Sequence, residues 1–219
     1  MYYAIIGDMI GSRRLTAEAR RDAQARLASA LETVNSRFGA DVAARFIITL
    51  GDEFQGLLNS EGDPVFAALT VLHEFRPYGI RLAIGSGPVT TAIDPAAAIG
   101  ADGPAFYNAR RMVDGMKPDH GARLRIAAED AALEYRANTV LALCDKLALG
   151  WTDKQEDLCF RMLSARLSGE KLTQTALAES CGIGQSTVNA QLVSAGFNEW
   201  FRGIMLVRGM LSERGREGR

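Results

Sequence analysis

Strand-forming segments stop near residue 131, and that division constrains the fold more than any other feature of the chain. Before it, Tyr2 to Ile6 is an apolar run rich in β-formers, which predicts a buried strand. Gly7-Asp8-Met9-Ile10-Gly11-Ser12 breaks that run. From Thr16 to Phe38 the pattern turns helical, with Leu27, Leu31, Val34 and Phe38 spaced by four, three and four. Thr16 followed by Glu18 fits the helix start and Gly39 its end. Arg45–Leu50 and Phe54–Leu58 read as the arms of a β-hairpin turning at Gly51-Asp52-Glu53. Asp63-Pro64 opens a second helix, running to about Phe75. Ile80–Ser86 reads as a strand continuing past Gly87-Pro88 into Val89-Thr90-Thr91, Ala105 to about Met116 as a helix, and Arg123–Ala127 as one more strand. The order strand, helix, hairpin, helix, strand, helix predicts a split β-α-β, ferredoxin-like arrangement. It is not the regular alternation of a doubly wound sheet.

Beyond residue 131 only helical patterns remain, over about Asp130–Leu149, Asp153–Ser168, Gln174–Ser180, Gln185–Ser194 and Asn198–Arg214. The expected fold class is α+β, with an N-terminal palm over 1–149 and a small all-α domain over 150–219. Trp200, Phe201, Met205 and Leu206 read as core of the second part.

Bulk properties narrow the function classes. Hydrophobic residues make up 47% of the 219, enough for a core without covalent staples. The formal charge of −1 does not announce a nucleic-acid or membrane partner. Cys144, Cys159 and Cys181 are odd in number and lack CxxC spacing, so they read as small buried hydrophobes in a reducing compartment. His73 and His120, the only histidines, are too few for a histidine-based metal site or a Ser-His-Asp triad, and read as ordinary surface or core residues. No apolar run is long enough to span a bilayer, and the start lacks the basic region of a signal peptide, so no membrane partner and a cytoplasmic location are expected.

The residues most able to carry chemistry are Asp8 and Asp52. Asp8 ends a buried strand, where a carboxylate is costly unless paired, hydrogen-bonded or metal-bound. If the first strand lies beside the hairpin, the two carboxylates come close and repel unless a cation neutralises them. Hard oxygen ligands suit Mg²⁺ or Mn²⁺. Gly7, Gly11 and Gly51 would let backbone approach a ligand, and free N–H groups near Ser12 would suit phosphate. Each aspartate also has a structural reading, Asp52 as turn chemistry and Asp8 as a helix cap.

Four ordered blocks, Ala4–Ser12, Thr49–Leu58, Ile80–Gly87 and Asp102–Arg110, closely resemble the SatD family of bacterial proteins over nearly the whole chain. More distantly they resemble class III nucleotidyl cyclases and GGDEF-type palms. That resemblance implies a metal site of Asp8, the Met9 carbonyl and Asp52, with a nucleoside triphosphate on the backbone of Ile10, Gly11 and Ser12 and close to Gly51. It also implies a paired, homodimeric palm. Ile48 stands where adenylate cyclases carry a purine-selecting Lys. Counted from Gly103, the transition-state Asn position holds Tyr107 and the Arg position holds Arg111, with Asn108 and Arg110 adjacent as substitutes.

Leu172 to Asn189 resembles a helix-turn-helix of the sigma-factor type, with Ala178, Gly182, Ile183 and Val188 at its packing positions. That resemblance implies that Gln185, Ser186, Thr187 and Asn189 face DNA. The second helix carries no Lys or Arg, so phosphate contacts would fall to Arg202, Arg208, Arg214, Arg216 and Arg219. The expected function is a nucleotide- and metal-binding regulator joined to a DNA-binding helix-turn-helix. Two alternatives stand beside it. One is an enzyme acting on a nucleoside triphosphate, a cyclase or phosphohydrolase using Arg110 or Arg111. The other is a protein-interaction module built on a degenerate palm.

Overall fold

The computed structural model describes residues 1–117 and 123–217, with side chains up to Ser212. The expectations for His120 and for the side chains of Arg214, Arg216 and Arg219 lie outside the described residues. Five strands form one sheet: β1 (Tyr2–Met9), β2 (Val42–Leu50), β3 (Glu53–Leu58), β4 (Ile80–Gly87) and β5 (Leu124–Ala127). Their order is β2-β3-β1-β4-β5. β1 runs antiparallel to both neighbours, β2 and β3 form an antiparallel hairpin, and β5 joins β4 in parallel. The described helices are α1 (Ala17–Arg37), α2 (Pro64–Glu74), α3 (Pro104–Gly115), α4 (Ala131–Ala148), α5 (Asp153–Ser168), α6 (Gln174–Cys181), α7 (Gln185–Ser194) and α8 (Phe197–Glu217). The chain is therefore α+β, and among the described residues strands are confined to the first part.

β1 is central and covered on both faces, which explains its unbroken apolar run. Tyr3, Ile5 and Met9 pack in the core with Leu27, Leu31 and Val34 of α1 and Val65, Ala68 and Leu72 of α2. Ala4 and Ile6 point the other way, toward Ala105, Phe106, Ala109 and Val113 of α3. By the two-residue period of a strand, Asp8 belongs to the α3 face. α3 lies against β4 because Gly85 has no side chain: a Cβ there would meet the Ala105 carbonyl and the Ala109 amide.

Side-chain caps mark several of the helix starts. Thr16 accepts from the Ala19 N–H, Asp63 from Phe66, and Asp130 from Ala132 and Leu133. Thr152 and Gln155 form a capping box at α5. The end of β4 differs from expectation. β4 ends at Gly87 rather than continuing to Thr91. Pro88 has no N–H for a ladder. Its carbonyl accepts instead from Ala105, and the Thr90 N–H goes to Asp102.

The boundary drawn at Gly150 falls in the turn between α4 and α5, yet the apolar core crosses it without a break. Trp200, Ile204, Val207 and Leu211 of α8 join the same cluster as Leu69 and Leu72 of α2 and Leu141 of α4. The Tyr3 hydroxyl donates to the Leu211 carbonyl at 3.0 Å, and Trp151 Nε1 donates to Ala195 at 2.7 Å. Trp200 is core, as its size suggests, and Phe201 is partly buried, but Met205 and Leu206 are 38% and 53% exposed. The inward stripe of α8 follows Trp200, Ile204, Val207 and Leu211 at helical spacing, which leaves those two on its outer side. His73 is half-buried in this seam, stacked on Phe160 with ring centroids 3.9 Å apart. Burial, with Arg76 adding, pushes its pKa down to about 3. Cys144 and Cys159 are buried, and burial raises each thiol to about 12.

Candidate functional site

The end of the sheet where β1 stops is also where the β2–β3 hairpin turns. The register places Asp8 opposite Glu53 on one side and opposite Arg81 on the other. All three point to the α3 face, so a row of charge crosses β3, β1 and β4. Arg81 Nη1 donates to Asp8 at 3.0 Å, and α3 sends Arg110 to Glu53 at 2.8 Å. The Asp8 and Arg81 side chains are only 15% and 10% exposed, so this pair is largely withdrawn from water. Burial raises the Asp8 pKa above the ordinary carboxylate value. Arg81 and Lys117 act against that rise, while Asp52 and Glu53 reinforce it.

Asp52 reaches the same place by a different route. The positive φ of Gly51 makes the hairpin turn, and the Asp52 carbonyl accepts the Met9 N–H at 3.0 Å, which ties the turn to the end of β1. Its carboxylate accepts from Ser12 Oγ at 2.5 Å. Ser12 opens a short 3-10 turn, Ser12–Arg14, made possible by the left-handed Gly11 before it. Together these segments wall an open cleft of about 530 Å³ lined by Asp8, Met9, Ile10, Gly11, Ser12, Arg13, Arg14, Asp52, Glu53, Arg81 and Lys117.

Several residues singled out from the sequence therefore meet here: Asp8, Met9, Asp52, Ile10, Gly11 and Ser12 all line the cleft. The Ile10 N–H is committed to the Gly79 carbonyl, so the backbone offered to a ligand centres on Gly11 and Ser12. Gly51 shapes the turn from outside the lining, its carbonyl held by Gln24 Nε2. Gly7 has a packing role instead of a ligand role. A Cβ there would enter the Phe54 ring and the Leu82 side chain, on the face away from Asp8.

The α3 residues separate. Arg110 reaches the rim of the cleft through Glu53. Arg111 turns to a different surface, where both its terminal nitrogens bond Glu134 at 3.2 and 2.7 Å. Asn108 donates to the Ser86 carbonyl, and the Tyr107 hydroxyl donates to Asp102. Arg81, Lys117, Arg13 and Arg14 were not expected at the site. The alternation of β4 was a usable signal for Arg81, since an Arg inside an apolar strand needs an anion beside it. Nothing local signalled Lys117, which follows α3 and arrives by tertiary packing.

As a place for a divalent cation, the cleft offers the expected pair of carboxylates, Asp8 and Asp52, beside Met9, with Glu53 a third acid among its lining. Among the described residues no group of three or more His, Cys, Asp or Glu side chains is arranged to hold a metal. Such a donor set fits Mg²⁺ in the manner of an ion that completes its shell with water and ligand phosphates. It does not fit a closed structural site.

The second candidate surface lies on α6 and α7. Gly182 ends α6 in the left-handed region, and the Ile183 N–H returns to Ala178. Leu177, Ala178, Val188 and Leu192 are buried between the helices, while Gln185, Ser186, Thr187 and Asn189 are exposed. Gln185 Nε2 donates to Gln174 Oε1 at 3.0 Å, so that side chain bridges the two helices. The expected supply of phosphate contacts is thinner here. Arg208 is held by Asp63, with Nε at 2.7 Å, which leaves Arg202 as the free candidate among the described side chains of α8.

Fold and cleft define an α+β protein with one central sheet, helices on both of its faces and a mixed-charge cleft at the sheet's end. The sequence profile of the SatD family matches residues 2–209, and the chain belongs to that family. No curated protein and no solved structure matches it. Among the described residues, no helix is long and apolar enough to cross a membrane.

Proposed function

We propose that this chain is a cytoplasmic regulator that binds a nucleoside triphosphate with Mg²⁺ or Mn²⁺ at the sheet-end cleft and meets DNA through α6 and α7. The observation that carries the reading is convergence. Asp8, Asp52 and Met9 border one cleft with Gly11, Ser12 and four cationic residues, Arg13, Arg14, Arg81 and Lys117. Carboxylates beside cations suit a ligand that brings both anionic oxygens and a bound cation, as a metal–triphosphate does. The β2-β3-β1-β4 order, with both crossovers passing a middle strand, supports the ferredoxin-like, cyclase-like palm. The exposed Gln185, Ser186, Thr187 and Asn189 support a groove-reading role for α7 in a helix-turn-helix unit. A homodimer belongs to this reading by likeness to cyclase palms.

A thermal-shift panel with ATP, GTP, CTP and UTP, each with Mg²⁺ or Mn²⁺, tests the nucleotide half on the wild type and Asp52→Ala. Selective binding to the folded state raises its melting temperature. A metal-dependent rise lost in the variant supports the reading and names the base. No rise with any nucleotide rejects it and favours an interaction module. A screen on genomic DNA fragments, with and without nucleotide, tests the other half; absence of a preferred site removes the DNA-binding role. The phosphohydrolase alternative retains Arg110, which stands at the cleft rim, and unchanged nucleotide after incubation with each metal would remove it.

A further inference from the structure

Asp8 meets a cation inside the fold. Arg81 stands directly across from it in the sheet, and the pair is joined at 3.0 Å. Arg81 is 9% exposed, and its Nε is buried without a protein acceptor. A buried guanidinium with an unused donor is costly in a finished interior. The residue lines the cleft, where its Nη1 is held by Asp8. Two further cationic side chains, Arg13 and Arg14, line the same cleft from the 3-10 turn. Glu53, the other acidic neighbour of Asp8, is paired with Arg110.

A site that holds two divalent ions needs carboxylates whose charge is not already neutralised. Here two of the three acidic side chains in the cleft carry an Arg partner, and Asp52 accepts a hydroxyl donor, which leaves it able to take a metal. We infer that Arg81 takes the place of a second cation, so the cleft binds a polyphosphate, a nucleoside triphosphate being the class named above, together with a single divalent ion beside Asp52. This rests on the nucleotide-binding reading and makes it more specific. Arg81 is a positioning and charge-balancing residue whose charge lies beside the ligand's phosphates. A guanidinium is suited to that role because its charge is permanent and its donors form a planar fork.

The test counts metal ions. Full-length protein is titrated with Mn²⁺ in saturating ATP, GTP, CTP, UTP or inorganic tripolyphosphate, and bound Mn²⁺ is read by electron paramagnetic resonance after correction for the free Mn²⁺–polyphosphate complex. One Mn²⁺ per chain is expected for the wild type. Arg81→Met is expected to weaken polyphosphate binding at least tenfold or to admit a second Mn²⁺. Arg81→Lys keeps the charge and is expected to retain one ion, which provides a second reading if the Met variant fails to fold. Two Mn²⁺ per wild-type chain would overturn the inference and leave nucleotide binding standing. So would unchanged polyphosphate affinity and a single ion in a folded Arg81→Met protein. Failure of every polyphosphate to bind, with or without Mn²⁺, would instead reject the nucleotide reading itself, and the inference with it.

Discussion

The sheet-end cleft and the outer face of α7 both expose polar side chains, but in the cleft the acidic side chains are held by partners from several elements. Asp8, Asp52 and Glu53 each have a defined partner, drawn from a neighbouring strand, a turn or α3. On α7, Ser186, Thr187 and Asn189 are exposed on a single helix with no charge among them, and Gln185 bonds only its neighbour Gln174. Groups fixed from several elements are preorganised for a ligand, whereas groups on one helix face gain order only when a partner arrives. The cleft is therefore the firmer functional candidate, and substitutions in the two regions are expected to behave differently.

The largest effect is expected at the buried pair. Arg81→Met leaves the Asp8 carboxylate without its cation and is expected to cost about 3 kcal/mol, the low end for breaking a buried ion pair because the cleft admits some water. Urea denaturation at neutral pH measures it. A cost below about 1 kcal/mol would mean that the pair behaves as a surface contact. Next comes Gly85→Ala. Its new methyl meets the backbone of α3, which must move, at an expected cost of about 2 kcal/mol. Because α3 carries Arg110, the same variant should loosen the cleft while leaving α6 and α7 protected, which hydrogen exchange resolves segment by segment.

At the seam between the two parts, His73 gives a pH signature. Its folded pKa of about 3 lies below the ordinary 6.5, so the unfolded chain takes up the proton first as pH falls. Stability is then lost between about pH 6.5 and 3, at up to about 1.4 kcal/mol per pH unit from this residue. His73→Phe keeps the stacking on Phe160 and should flatten that slope relative to wild type in denaturation curves at pH 7, 6, 5 and 4. Parallel slopes would show that His73 binds its proton as readily in the folded as in the unfolded chain. The smallest effect is expected on the helical side. Gly182→Ala meets no atom within 4 Å, and only its left-handed backbone opposes the change, at about 1 kcal/mol. A larger cost would mean that the α6–α7 turn is as constrained as the cleft.

Element identity was legible because it depends on local pattern. The Leu27-Leu31-Val34-Phe38 spacing, the Thr16 helix start and the Gly51-Asp52 turn each act within a few residues, and the structure places α1 and the hairpin accordingly. β4 stops short of the expected Thr91 because the bonds of Pro88 and Thr90 go to Ala105 and Asp102, groups distant in sequence. In the site, Asp8 and Asp52 were legible as acids at strand ends. Arg81 is conspicuous inside an apolar strand, but its partner, 73 residues away, is not legible there.

The sequence by itself determined where strands and helices form, which caps start them, and that two aspartates end up at strand termini. Only the tertiary structure decided what those aspartates meet. Sheet order brings Arg81 to Asp8, α3 brings Arg110 to Glu53, and the 3-10 turn brings Ser12 to Asp52. The reason is range. Periodicity and capping follow from neighbours in the chain, whereas the partner of a buried charge is chosen by which strands pair and which helix covers them.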